Sequence, residues 1–107
     1  MLERVKLPHA GKDREDSTQP ENIALTQEAI RRAHGCGSKY CRTVHVINAV
    51  VGTSIWDGFV MVFDLIDHQE EKCCYAWKER VEFAIVLRTP SIDSPERAVR
   101  KWLARPR

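Results

Sequence analysis

Two histidines and two cysteines lie close together in the sequence, at His34, Cys36, Cys41 and His45. Their order is H-x-C-x4-C-x3-H, and cysteine and histidine are the usual ligands of structural zinc. The gap between the cysteines is at the upper limit of zinc-site spacing, and the order differs from that of a zinc finger. Free cysteine is also among the most buried residue types without any metal. The cluster is therefore a metal candidate whose alternative is core packing, and we expect no cofactor.

The same cluster contains the side chains that covalent catalysis needs. A Cys36 or Cys41 thiol beside a histidine can act as a nucleophile when the histidine takes its proton. No signature of a cysteine enzyme surrounds these residues, and the sequence has no phosphate-binding loop, dinucleotide-binding glycine motif or serine-hydrolase elbow. We therefore expect a protein that is not an enzyme. The alternative is a small enzyme with its site in a cleft between sheet and helix, using His34, His45, His68, Asp64 or a cysteine.

A second group of chemically active residues follows the longest apolar run and consists of Asp64, Asp67, His68, Glu70 and Glu71. Carboxylates near a histidine can bind a cation or transfer protons. The group lacks the D-x-D-x-D-G spacing of a calcium loop. We interpret it as a solvated hairpin turn.

Composition limits the class of protein to which these residues belong. The chain has 107 residues, of which 43% are hydrophobic, and 17 Lys+Arg against 15 Asp+Glu. This length allows one domain with one hydrophobic core. Because there is no long apolar run, we expect neither a membrane span nor a secretory signal, and hence a cytoplasmic protein with four free thiols. Adjacent Cys73 and Cys74 point to opposite faces of a strand, which favours core packing for both.

The first helix and the segment before it have clear local signals. Residues 1–22 contain few large apolar residues and are predicted to form a flexible N-terminal extension. Thr26 is a plausible N-cap, because its hydroxyl can accept a hydrogen bond from a free amide of the first turn. Gly35 supplies the stop, since glycine enters the left-handed conformation without a steric penalty. These signals predict a helix over 27–34.

Strands and a second helix follow in the compact part of the chain, predicted over 23–107. The predicted strands are 44–51, 55–66, 73–77 and 81–87. Ser94 caps the last helix and Pro95 occupies its first position, and the helix ends before Pro106. The order α-β-β-β-β-α with short connections predicts an α+β domain: an antiparallel sheet of three to four strands with two short helices packed on one face.

The predicted strands have too many apolar faces for that arrangement. An antiparallel sheet with one solvated face alternates between apolar and polar residues, whereas most of these strands are apolar on both sides. Two helices on one face leave the other face open, so we expect it to meet a second copy of the chain. The alternatives are a different partner, or a curved sheet that encloses its own core or a small apolar ligand. The residues predicted for this surface are Trp56, Phe59, Met61, Phe63, Tyr75 and Trp77.

A nucleic-acid-binding module is the third hypothesis for function. The positive charge is concentrated in residues 88–107, which hold six Lys and Arg against two Asp and Glu. The order of the predicted helices and strands is similar to that of double-stranded-RNA-binding domains. The final helix does not open with the lysine cluster that such domains use, and nucleic-acid-binding domains are usually more basic. A solvated helix face is the simpler interpretation.

The chain also resembles a group of small uncharacterised bacterial proteins. The shared pattern is W-x-G-x-V-x-V-F-D-L over 56–65, then His68, C-Y-A-W over 74–77 and S-P-x-x-A-V-R over 94–100. The resemblance covers roughly residues 28–103 and implies a bacterial, cytoplasmic, single-domain protein. No activity is assigned to the group, so it implies no catalytic residue here.

Overall fold

The fold is an antiparallel sheet with two helices, seen in a computed structural model that describes residues 2–6, 20–79 and 82–105, with backbone alone for 2–6, Pro20 and Asn48. In chain order the elements are β1 (Leu2–Lys6), α1 (Pro20–His34), β2 (Gly37–Val51), β3 (Ser54–Ile66), β4 (Cys73–Glu79), β5 (Glu82–Leu87) and α2 (Pro95–Leu103). The strands pair in the order β1-β5-β4-β3-β2, and every pair is antiparallel. The predicted α+β class, with an antiparallel sheet and two helices, is confirmed.

The sheet contains a fifth strand that the sequence did not predict. β1 pairs with β5 from Leu2 opposite Val86 to Lys6 opposite Glu82. Of the predicted flexible extension over 1–22, residues 2–6 form β1 and residues 20–22 begin α1, and residues 7–19 lie outside the described part of the chain. A five-residue edge strand of mixed charge shows too little alternation to be distinguished from a polar segment.

The first helix is longer than its local signals suggest. It begins at Pro20, since the fixed φ of proline and its missing N–H suit the first helical position. Thr26, the predicted cap, is instead buried within the helix, and its hydroxyl donates to the Asn22 carbonyl at 2.6 Å. The predicted stop is confirmed: Gly35 has φ +70° and donates its N–H to the Arg31 carbonyl at 2.7 Å.

The second helix begins as the sequence predicts. The side chain of Ser94 accepts a hydrogen bond from the Arg97 N–H at 3.2 Å, and Pro95 is the first helical residue. The buried face of α2 carries Ala98, Val99 and Trp102. This face is therefore fixed against the sheet from its first turn onward.

The two helices pack on opposite faces of the sheet, so the prediction that both lie on one face is wrong. α1 contributes Ala29 and Ile30 to one hydrophobic cluster, and α2 contributes Ala98, Val99 and Trp102 to the other. Strand residues alternate between the clusters, because successive side chains point to opposite faces. The apolar character of both strand faces, which suggested a partner, is thus largely satisfied within one chain.

The β2–β3 hairpin extends beyond the rest of the sheet. β3 pairs with β4 over residues 61–64, while its pairing with β2 continues to the turn at Gly52. We call residues 44–60 the arm. A register shift between Val46 and Ala49 places a β-bulge in the arm strand of β2. Because an isolated two-stranded hairpin is barely stable in water, the arm needs packing on at least one face.

Candidate functional site

One face of the arm is covered by α2. Val46, Ala49 and Val60 are buried in the same cluster as Ala98 and Val99 of that helix. These side chains supply the packing that a protruding hairpin requires. The helix therefore holds the arm in place and leaves its opposite face exposed.

The opposite face of the arm carries apolar side chains that no helix covers. His45 lies across the strands from Phe59, and Val50 lies across from Ile55, so the members of each pair share a face. Asp57 lies between Ile55 and Phe59 on that same face, because alternate strand residues point the same way. We call these five residues the open face. The His45 imidazole stacks on the Phe59 ring, with centroids 4.6 Å apart and planes 23° apart.

The exposed large apolar residues of the described chain are concentrated on this arm. Phe59 is 44% exposed, Val50 43% and Ile55 68%, and Ile47 in the bulge is 58% exposed. The fifth member of the set, Ile66, lies at the other end of β3. A contiguous apolar patch on a soluble protein commonly marks an interaction site.

Four of the six residues predicted for an interaction surface are not on the surface. Met61, Phe63, Tyr75 and Trp77 are buried within the single chain, between the sheet and its two helices. Phe59 is exposed on the open face, and Trp56 is partly buried on the side of α2. The physical reason is the placement of the helices, since each covers one face of β3 and β4.

Trp56 takes part in a structural cluster rather than in the open face. Its indole N–H donates to Glu79 Oε2 at 3.0 Å, and the Trp77 indole N–H donates to the same oxygen at 2.9 Å. The rings of Trp56 and Trp77 are in edge contact at 5.7 Å, and those of Trp77 and Trp102 at 5.8 Å. The Trp56 ring also lies over Gly58, where an added Cβ would come within 2.6 Å of it. The W-x-G motif thus has a packing role.

The four candidate zinc ligands are not brought together. Cys36 is buried in the cluster with α1, whereas Cys41 interacts with Asp64, which faces the opposite side of the sheet beside Cys73. His45 is on the open face of the arm, stacked on an aromatic ring. Among the described residues, no three His, Cys, Asp or Glu side chains are placed to hold one metal ion.

The histidine of the β3–β4 turn organises its own backbone. His68 Nδ1 accepts hydrogen bonds from the amides of Glu70 and Glu71, at 3.1 and 3.0 Å. Its ring is in edge contact with His34, at 5.7 Å between centroids. Asp67 turns the chain with φ 64°. These contacts give the turn a structural role and direct His68 Nδ1 to the backbone rather than to a substrate.

The thiols are poorly suited to nucleophilic chemistry. Desolvation raises the pKa of Cys36, Cys41, Cys73 and Cys74, and the neighbouring Asp64 carboxylate raises the pKa of Cys41 further. A catalytic thiol needs a lowered pKa, because the thiolate is the reactive form. His45 lies in the arm and Asp64 lies opposite Cys73, whereas His68 contacts His34 at the β3–β4 turn. The raised pKa values of the thiols therefore give the enzyme alternative no support.

The open face includes residues that were not singled out from the sequence. Val50 and Ile55 flank the hairpin turn, and Ile47, in the bulge beside the open face, precedes it. The sequence contains a signal that could have identified these residues, because residues 43–56 contain no Lys, Arg, Asp or Glu. In a chain with 30% charged residues, an uncharged edge strand and turn is a weak mark of an interface.

No helix of the described residues is long and apolar enough to cross a membrane. No protein-family model, curated protein or solved structure matches the chain.

Proposed function

We propose that this protein is a non-enzymatic, self-associating module and that two copies dock through the open face of the arm. The observation that carries the proposal is the concentration of exposed apolar side chains on the face of the arm that neither helix covers. Closed homo-oligomers are the commonest assemblies of soluble proteins. The open face replaces the wider surface predicted from the sequence.

The charge of the open face favours a second copy as its occupant. Its ionisable residues are one base, His45, and one acid, Asp57. In a two-fold interface residue i meets residue j and residue j meets residue i. Two open faces can therefore place each His45 beside the Asp57 of the other copy, while the apolar side chains meet one another. Like charges are kept apart, so the face is complementary to itself.

The bulge favours docking through the face of the arm over docking through its edge. β2 is an edge strand, and an edge strand presents unpaired backbone groups to other chains. The register shift between Val46 and Ala49 interrupts the regular spacing of those groups at the level of the open face. Side-chain packing, rather than extension of the sheet, is therefore the expected mode of contact.

The size of the patch sets the expected affinity. Three exposed apolar side chains of the open face, with Ile47 beside them, form the centre of a small interface, and interfaces that bury less than about 1,200 Å² in total are typically weak or transient. We expect a dissociation constant on the order of 10 μM, which corresponds to about −7 kcal/mol.

Sedimentation equilibrium with two matched substitutions tests the proposal. Ile55→Asp introduces a charge into the open face and should weaken association by about tenfold or more. Ile66→Asp makes the same change at another exposed isoleucine, outside the arm, and should leave association unchanged. A wild-type chain that stays strictly monomeric at tens of micromolar, or equal effects of the two substitutions, would overturn the proposal.

Two further parts of the proposal concern the protein's relatives and its cellular compartment. We infer that the protein belongs with the small uncharacterised bacterial proteins that it resembles and acts in the cytoplasm. All four cysteines are free thiols, which supports a reducing compartment. Labelling with a thiol reagent in intact cells checks this inference, because only the exposed Cys41 should react without denaturation. Disulfide-linked chains in freshly lysed cells would contradict it.

A further inference from the structure

A groove runs between α2 and the chain segments beside it, on the side of the arm away from the open face. It has a volume of about 550 Å³, and its apolar lining comes from Val51, Ile92 and Ala104. Val51 follows Val50 in the strand, so the two point to opposite faces of the arm. The groove and the open face are therefore separate surfaces.

The floor of the groove is held by a tight turn. Thr89 and Ile92 exchange backbone hydrogen bonds of 3.2 and 3.0 Å, and the Thr89 and Ser91 hydroxyls are 3.3 Å apart. Ile92 is buried in the cluster that α2 covers. This anchoring fixes the Ser91 hydroxyl at the groove without a contribution from any ligand.

The polar side chains of the groove are all hydrogen-bond donors, and most carry positive charge. Arg97, Arg100 and Lys101 line it, with Ser91, and no carboxylate belongs to its described lining. Their spacing of three and four residues places the three cations side by side on α2. The basic C-terminal segment noted in the sequence is therefore gathered at one place.

Two of these cations have acidic neighbours. Arg97 Nε is 3.5 Å from Asp93, and Arg100 is 2.8 Å from Glu96, with all four side chains exposed. Exposed pairs of this kind are weak and exchange readily with other anions. Lys101 has no ion pair among the described residues. The groove thus retains a net positive charge beside an apolar floor.

We propose that this groove binds a small organic anion with an apolar body, such as a medium-chain carboxylate. The anionic group interacts with Lys101 and the two arginines, and the hydrocarbon lies against Val51 and Ile92. The volume is within the range of small-molecule sites. The net positive charge of the groove favours an anionic ligand. The apolar floor favours an amphipathic anion over an inorganic one.

Calorimetric titration with three probes tests the proposal. Octanoate carries both features, octanol lacks the charge, and acetate lacks the hydrocarbon. Octanoate should bind about tenfold or more tightly than either of the others. Equal binding of octanoate and octanol, equal binding of octanoate and acetate, or no binding of octanoate would each overturn the proposal.

A pair of charge reversals locates the site. Lys101→Glu should weaken octanoate binding by about tenfold, whereas Lys72→Glu, the same change in the β3–β4 turn, should leave it unchanged. Because Lys101 and Lys72 are both exposed, both variants should unfold at the wild-type temperature. Amide shifts on titration should map to residues 51, 92 and 104. Equal binding by the two variants, or shifts confined to the open face, would contradict the assignment.

A further experiment distinguishes a free anion from a membrane surface as the ligand. Vesicles of phosphatidylglycerol present the same anionic and apolar chemistry at an interface. We expect no co-sedimentation with them if the groove takes a single free anion. Binding to these vesicles without binding to octanoate would overturn the proposal of a small-molecule ligand.

Discussion

Trp56 and Trp77, on adjacent regions of β3 and β4, donate their indole N–H groups to the same carboxylate oxygen of Glu79, at 3.0 and 2.9 Å. One acceptor thus satisfies two indole donors at the base of the arm. The edge contact of Trp77 with Trp102 continues the cluster to α2. The cluster ties together the three elements that hold the arm, and so connects core stability to the position of the open face.

Removal of the shared acceptor should destabilise the protein. Glu79→Leu leaves two indole donors without their charged partner, and we expect a loss of about 2 kcal/mol in the free energy of unfolding. Glu79→Gln keeps an oxygen acceptor and should cost less. Urea denaturation measures both, and Glu70→Leu, an exposed position in the turn, serves as the control. A loss no larger than in the control would show that the shared bond contributes little.

The packing of Trp56 over Gly58 predicts a strong effect of a single methyl group. In Gly58→Ala the new Cβ would lie 2.6 Å from the indole, so the ring must move, and we expect a cost of about 2 kcal/mol. Gly37→Ala is the matched control, since its Cβ would meet Ile66 at an ordinary 3.7 Å. In a Trp56→Ala background most of the Gly58→Ala cost should disappear, as a double-mutant cycle would show. Additive losses would refute the contact.

The glycine that ends α1 is predicted to matter for backbone reasons alone. An added Cβ at Gly35 meets no atom within 4 Å, but its φ of +70° is unfavourable for other residues. Gly35→Ala should therefore cost about 1 kcal/mol, and Gly35→Asn less, because asparagine tolerates the left-handed region better. Thermal unfolding of the two variants measures the difference. Equal melting temperatures for alanine and asparagine would contradict this explanation.

The buried thiols predict a loss of stability at alkaline pH. Burial raises the pKa of Cys74, so the folded state keeps this proton when the unfolded state has lost it. Above about pH 8.5 the unfolded state therefore binds fewer protons, and stability falls as pH rises, by up to about 1.4 kcal/mol per pH unit for one thiol. Below that pH the contribution is fully present.

Unfolding in urea between pH 7.5 and 10 measures this slope. Cys74→Ala should reduce the slope, although its stability at neutral pH is lower because the side chain leaves a cavity. Cys41→Ala is the comparison at an exposed thiol and should change the slope less. An identical slope in wild type and Cys74→Ala would show that this thiol does not titrate on unfolding.

The sequence by itself determined the elements whose signals are local. Ser94 and Pro95 mark the start of α2, and Gly35 marks the end of α1, because capping and left-handed backbone depend on residues within one turn. Alternation identified the strands and showed that both of their faces are apolar. These features led to the correct α+β class and antiparallel sheet.

Only the tertiary structure decided which apolar side chains stay exposed. Met61 and Phe59 lie two residues apart on the same face of β3, yet Met61 is fully buried and Phe59 is 44% exposed. Alternation assigns both to one face, but exposure depends on how far α1 extends over it. α1 reaches Met61, where the Thr26 hydroxyl lies 3.8 Å from the sulfur.

The positions of the helices and of β1 also depend on residues that are distant in the sequence. Which face a helix covers, and which edge a short strand joins, depend on partners far away in the chain, such as β5 for β1. The apolar content of the strands follows from the sequence. Which of these side chains stay exposed on the arm follows from how far α1 reaches along β3.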